Sequence, residues 1–197
     1  MAPPNPTTVP AQRGGAAAGK IGMVLFLMAL GVLFSASMAG YLVVRTRAAA
    51  WPPPGSPRLP GGLWISTLIL LLSSATIHLA GGFAREGKKG PLRNWLLVTA
   101  GLGTAFLVSQ ILNWSHLVNV QHLPARANLY AFTFYMLSGL HGAHVLGGLV
   151  PLGITAARAQ QGRYTAADHA GVSYLSMYWH FLDVVWLVMF VVLMIAA

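Results

Sequence analysis

Four side chains in the C-terminal third combine chemically useful types with useful spacing. His141 and His144 lie three residues apart, and so do His180 and Asp183. On a helix, positions i and i+3 share a face, so each pair can act as a unit. Three imidazoles and one carboxylate admit three chemistries. They can satisfy one another as a hydrogen-bonded network that fixes helix register. They can ligate a metal or a b-type haem, with His144 and His180 supplying one ligand each, although no second histidine pair stacks two turns further along. They can also pass protons or ions, for which a lone carboxylate in mid-membrane is the usual marker. The network reading is adopted here, with His141, His144, His180 and Asp183 sharing a dry layer. A second strip, Gln110, Asn113 and His116, repeats every three residues and reads as amide glue between helices.

The elements that must carry these residues follow from the apolar runs around them. From Gly171 to Ala197 the ionisable groups are His180 and Asp183 alone. A crossing needs about 20 mostly apolar residues, so this run suffices, and Asp183 falls near its middle, where an acid costs at least ~2.5 kcal/mol. The preceding run, Asn128 to about Ala157, holds His141 and His144 near its own middle. A short connection makes the two runs antiparallel neighbours and brings the two pairs to similar depth. Gly139, Ala143 and Gly147 form a small-residue ladder on which a partner backbone can come close.

Composition sets the class. Of 197 residues, 56% are hydrophobic and 8% charged, with mean hydropathy +0.65, values outside the range of water-soluble domains. The chain reads as an all-α polytopic membrane protein with five transmembrane helices in a bundle. The spans fall at about 21–44, 61–84, 94–120, 128–157 and 171–197, after a mobile cytoplasmic tail over residues 1–19. In the first span Gly31, Ser35 and Ala39 repeat every four residues and suit a close neighbour. The net charge of +9 comes from basic residues placed between apolar runs, which suits anionic headgroups rather than nucleic acid. Arg13, Lys20, Arg85, Lys88, Lys89, Arg93, Arg158 and Arg163 fall on one side, against Arg45, Arg47, Arg58 and Arg126 on the other. The positive-inside rule puts the N-terminus in the cytoplasm and the C-terminus outside, in a bacterial-type inner membrane. The proline-rich stretch from Arg45 to Pro60 reads as a stiff crossing anchored at the surface by Trp51, and Gly90-Pro91 closes the basic turn from Arg85 to Arg93. The hydroxyls around Ser66-Thr67 and Ser73-Ser74 are expected to bond back to their own helix, and His78 to sit satisfied or interfacial. The absence of cysteine excludes disulfides, thiolate metal sites and the attachment motif of c-type haem.

Two strings carry a family resemblance. Tyr178-Trp179-His180-Phe181-Leu182-Asp183-Val184-Val185-Trp186 and His141-Gly142-Ala143-His144-Val145-Leu146-Gly147-Gly148 resemble subunit III of the haem-copper cytochrome c oxidases. The likeness runs from about Lys20 to the end, through Phe26-Leu27, Tyr41 to Arg45, Leu63 to Thr67, Ser73 to Thr76 and Gly103 to Trp114, and matches the short form lacking the first two helices. Glutamates or other carboxylates of that family pattern are replaced by Leu30, Asn113 and Ser173, while His169 matches the histidine ahead of the last helix.

The resemblance implies a non-catalytic subunit of a proton-pumping terminal oxidase that oxidises cytochrome c and reduces oxygen to water. It implies haems and copper in partner subunits, direct helix packing against subunit I, association with subunit II and other respiratory subunits, and bound phospholipid. Its expected work is assembly, lipid retention and durability of the catalytic subunit. Alternatives are subunit III of a quinol oxidase, an accessory subunit of a nitric oxide reductase, and a b-type haem electron carrier. A transporter is a poorer fit, since no inverted repeat or pair of broken helices is visible.

Overall fold

Five apolar runs become five helices. The computed structural model describes residues 9–57 and 59–196, with side chains from residue 18 to 195. The helices are α1 (Val9–Arg47), α2 (Gly62–Arg85), α3 (Lys89–Asn119), α4 (Leu129–Gln160) and α5 (Ala170–Ala196). Each contains a stretch long and apolar enough to cross a membrane, which for α1 begins at Ala18. The protein is an all-α integral membrane protein.

The tail expected over residues 1–19 lies outside the described residues up to position 8. From Val9 the backbone is already helical and runs unbroken into the first span. The physical reason is the run Ala16-Ala17-Ala18, the best helix former available, which lets the span propagate backwards. The basic turn is also shorter than expected. Gly87, at φ +70°, ends α2 with Gly87 N–H donating to the Ala84 carbonyl and Lys88 N–H to that of Phe83. Helix α3 starts at once at Lys89, because Pro91 fits the first turn, where a missing N–H costs nothing. The end of α4 repeats the device at Gly162, with Arg163 N–H reaching the Arg158 carbonyl. At its other end α4 is capped by Asn128, whose side chain accepts from Ala131 N–H at 2.8 Å.

Helices α2 to α5 close a ring: α3 packs between α2 and α4, α5 packs between α4 and α2, and α1 lies outside against α5 and α4. Most of α1 is therefore open on its outer faces. The crossing after α1 is strapped down by Trp51, whose indole N–H donates to the Tyr41 hydroxyl at 3.3 Å while its ring meets those of Tyr41 and Tyr130 edge-on. Trp51 is thus a half-buried clasp just beyond the end of α1.

Glycine decides two of the contacts. A Cβ on Gly148 would lie 2.6 Å from the Tyr178 ring, and one on Gly103 would lie 2.8 Å from Trp179. Both positions admit α5 to the ring at short range. The ladder Gly139, Ala143 and Gly147 does not play this part. Gly139 meets Trp114 at 3.7 Å, nothing lies within 4 Å of a Cβ at Gly147, and Ala143 and Gly147 line an open trough. One residue turns a helix face by about 100°, so the close approach falls on Gly148 instead.

Candidate functional site

The four polar residues at the last two helices do reach similar depth, but they divide into two groups. His141 is fully buried, with its ring 5.0 Å from Trp186, 5.6 Å from Phe106 and 6.2 Å from Phe34. Neither ring nitrogen has a hydrogen-bond partner. His144, half-buried one turn later, turns toward α1, where its ring meets Phe34 at 5.1 Å. Its Nδ1 lies 2.8 Å from the Leu140 carbonyl. A carbonyl only accepts, so Nδ1 carries the proton.

His180 turns the other way, toward α2. Its Nδ1 is 2.8 Å from Ser74 Oγ, and its ring lies 6.0 Å from that of the exposed His78. Asp183 Oδ2 stands 3.9 Å from the same Nδ1. The carboxyl is buried and next to Ser74, yet neither of its oxygens meets hydrogen-bond geometry. His141 and His144 thus face Phe34 of α1, His180 and Asp183 adjoin Ser74 of α2, and no hydrogen bond joins the two groups among the described residues. The divergence also separates His144 from His180, so these two do not face each other across a haem-sized gap. Among the described residues, no three of His, Asp and Glu converge on a point.

The second strip divides as well. Gln110 is buried with both amide atoms unpartnered, Asn113 donates to Ser66 Oγ at 3.1 Å, and His116 is exposed near the helix end. Asn113 also crowds Gly62, where any Cβ would strike its carbonyl oxygen. Of the other departures from the family pattern, Leu30 is buried in the core and Ser173 leans back on the His169 carbonyl at 3.5 Å.

What the sequence reading missed is how the tryptophans are used. Trp179 Nε1–H donates to Ser73 Oγ at 2.8 Å and Trp186 Nε1–H to Thr67 Oγ1 at 3.0 Å, both from α5 into α2. Trp114 does the same from α3 to Ser138 of α4, at 3.2 Å. The signal was available: Ser66-Thr67 and Ser73-Ser74 are doublets one heptad apart, and so are Trp179 and Trp186. Back-bonding holds for Ser66 and Thr67, but Ser73 and Ser74 spend their hydroxyls on α5. Ser66–Ser109 at 2.7 Å and Thr76–Thr99 at 2.9 Å tie α2 to α3, and Tyr178 Oη donates to the His144 carbonyl at 2.8 Å. Every adjacent pair in the ring is bonded across.

Between α1, α4 and α5 lies a trough of about 620 Å³, walled by Met23, Phe26, His144, Pro151, Arg158 and Tyr178. Its lining is mainly apolar, with Arg158 its one charged side chain.

A bundle in which the indole donors of Trp114, Trp179 and Trp186 are met by hydroxyls on neighbouring helices is built for packing. The family model described as cytochrome c oxidase subunit III matches residues 12–197. The chain belongs to that family. A cytochrome c oxidase subunit 3 from Synechocystis sp. is 37% identical over 86% of this chain and 72% of its own length. A second, from Thermostichus vulcanus, is 34% identical over 89% of this chain and 86% of its own. The cytochrome bo(3) ubiquinol oxidase subunit 3 of Pseudomonas aeruginosa is 37% identical over 87% of this chain and 81% of its own. Membership of the subunit III family makes this chain a component of a haem-copper oxidase complex. The strings around His141 and His180 help to hold the ring together, through the His144 carbonyl, Tyr178, Trp179 and Trp186.

Proposed function

We propose that this chain is a support subunit without a redox centre of its own, in an oxidase whose haems and copper are held by partner subunits. The observation that carries the reading is the family match along residues 12–197 joined to a ring of helices bonded across every adjacent pair. Its partners are the catalytic subunit I, through direct helix packing, subunit II, and membrane lipid. The trough beside Arg158 is the lipid seat, with the guanidinium at the headgroup and the acyl chain along Phe26 and Tyr178. His141, His144, His180 and Asp183 serve to position α4 and α5 rather than to carry out chemistry. The excess of basic residues at the α2–α3 and α4–α5 turns supports a cytoplasmic N-terminus and an external C-terminus.

A strain lacking this chain tests the reading. Initial oxygen consumption per catalytic subunit stays near the wild-type value and the number of turnovers before inactivation falls. Unchanged durability overturns the support role. Cytochrome c is the proposed donor, supported by the names of the cyanobacterial relatives. The equal identity to the ubiquinol oxidase subunit favours quinol as a second reading. Assaying the purified complex with reduced cytochrome c and with a quinol separates the two.

A further inference from the structure

Polar atoms without partners gather at the centre of the ring, away from the trough. Gln110 of α3 is 2% exposed and His141 of α4 is fully buried. Among the described residues, none of their four polar side-chain atoms, Oε1 and Nε2 of Gln110 and Nδ1 and Nε2 of His141, has a hydrogen-bond partner. Contacts to either side bring the two residues to one level. Trp114, a turn after Gln110, donates to Ser138 of α4, and Leu107, a turn before it, would lie 3.8 Å from a Cβ on Gly142. Residues 107–114 of α3 thus run beside residues 138–142 of α4, with Gln110 and His141 inside that seam. Phe106, four residues before Gln110 and on its face of the helix, sets its ring 5.6 Å from that of His141. The seam is also loosely filled. A Cβ on Gly139 or on Gly142 would reach only ordinary contact with α3, at 3.7 and 3.8 Å, so each glycine leaves the room of a methyl group.

A direct bond from amide to imidazole would engage two of the four atoms and strand the others. A water molecule that reaches both groups does better, because it can donate twice and accept twice, and buried waters make about three bonds. We propose that the centre of the ring binds one ordered water, held between the Gln110 amide and the His141 imidazole. The amide offers a donor and an acceptor, and an uncharged imidazole one N–H and one bare nitrogen, so the water can receive from one residue and give to the other in either arrangement. An ion fits poorly here, since Phe34, Phe106 and Trp186 around His141 bring no counter-charge. Asp183 is not a member of the site, because its carboxyl adjoins Ser74 on the α2 side. The water gives α3 and α4 a second polar tie beside the bond from Trp114 to Ser138.

The test uses the oxidase complex purified in mild detergent with this chain at full length, imaged by cryo-electron microscopy at a resolution that shows ordered water. Wild type is expected to show a peak within hydrogen-bond distance of both Gln110 and His141, and Gln110→Leu/His141→Phe to lose it. A direct contact between the two side chains with no peak overturns the proposal, and so does a peak that persists in the double variant. Thermal unfolding in the same detergent gives a readout independent of the map. Gln110→Leu and His141→Phe each release the water and strand the other residue, so each is expected to lower the midpoint by about 2–4 °C. The double variant removes all four atoms and is expected to lower it by no more than either single change. A midpoint that rises in Gln110→Leu would mean an amide with no partner to lose, and overturns the proposal equally. Should His141→Phe fail to accumulate, the wild-type map alone decides.

Discussion

Asp183 illustrates how much a single side chain can require of its neighbours. Its carboxyl lies in mid-span, buried, with His180 at 3.9 Å and Ser74 beside it as the nearby polar groups. Burying such a group without donors is costly, and the cost falls on the packed state of α2 against α5. Asp183→Asn keeps the size of the side chain and removes the ionisable group, so the amount of assembled complex is expected to hold level or rise while turnover per assembled enzyme changes by less than about twofold. Haem content of the purified complex measures the first quantity and oxygen uptake per haem the second. Loss of proton pumping with assembly intact would move Asp183 from packing to mechanism. A second pair of substitutions tests close contact directly. Gly148→Ala puts a methyl 2.6 Å from the Tyr178 ring, whereas the neighbouring Gly147→Ala meets nothing within 4 Å. The first is expected to destabilise the fold by about 1–3 kcal/mol, as overpacking does, and the second by less than about 0.5 kcal/mol. Thermal unfolding of the two variants in the same detergent decides it. At this scale the sequence was legible in residue type and spacing but not in direction. His141, His144 and His180 were all identified as buried or half-buried polar groups, yet which neighbour each one faces depends on helix rotation. The period of hydrophobicity barely constrains rotation when a helix is apolar on every side.

Helices in lipid cannot rely on the hydrophobic effect to hold one another, so the cross-bonds of the ring have to do more. The indole N–H of Trp186 and the hydroxyl of Thr67, 3.0 Å apart, are one such bond, and the pair is buried. Thr67→Val removes one partner while keeping shape and is expected to cost about 1 kcal/mol, whereas Trp186→Phe removes the other and also leaves the volume of the lost ring unfilled, for a cost of about 2–3 kcal/mol. The double variant should cost less than the sum, leaving a coupling of about 0.5–1.5 kcal/mol; strict additivity would show that the bond contributes nothing in the membrane. Element existence was the most legible layer of all, since span number follows from the length of apolar runs alone. Element ends were less so. Pro91 reads as a stop in a sequence, yet as the third residue of α3 it reads equally well as a start, and only the Gly87 cap ahead of it distinguishes the two.

At the scale of the whole molecule, α1 stands apart from the ring and touches only α4 and α5. Phe34 seats it against His141 and His144, and Phe26 stacks on Tyr178 with ring centroids 6.0 Å apart. The trough between α1 and the ring is the consequence, and no pattern in the sequence announced it, because a cavity is made by side chains that fail to meet. Left empty, it would leave Phe26, Tyr178 and His144 facing a void; filled by an acyl chain, it would bind α1 to α4 and α5 through a third body. Arg158 is the one charged side chain on its wall and would hold the headgroup. Arg158→Gln should therefore leave the initial rate of oxygen reduction unchanged and reduce the number of turnovers before inactivation. Supplying excess anionic phospholipid during the assay should restore part of the loss, since mass action compensates for the weakened affinity. Progress curves of oxygen consumption, run with and without added phosphatidylglycerol, measure both effects. A variant that inactivates on the wild-type schedule in lipid-poor detergent would show that α1 stays in place without any lipid beneath it.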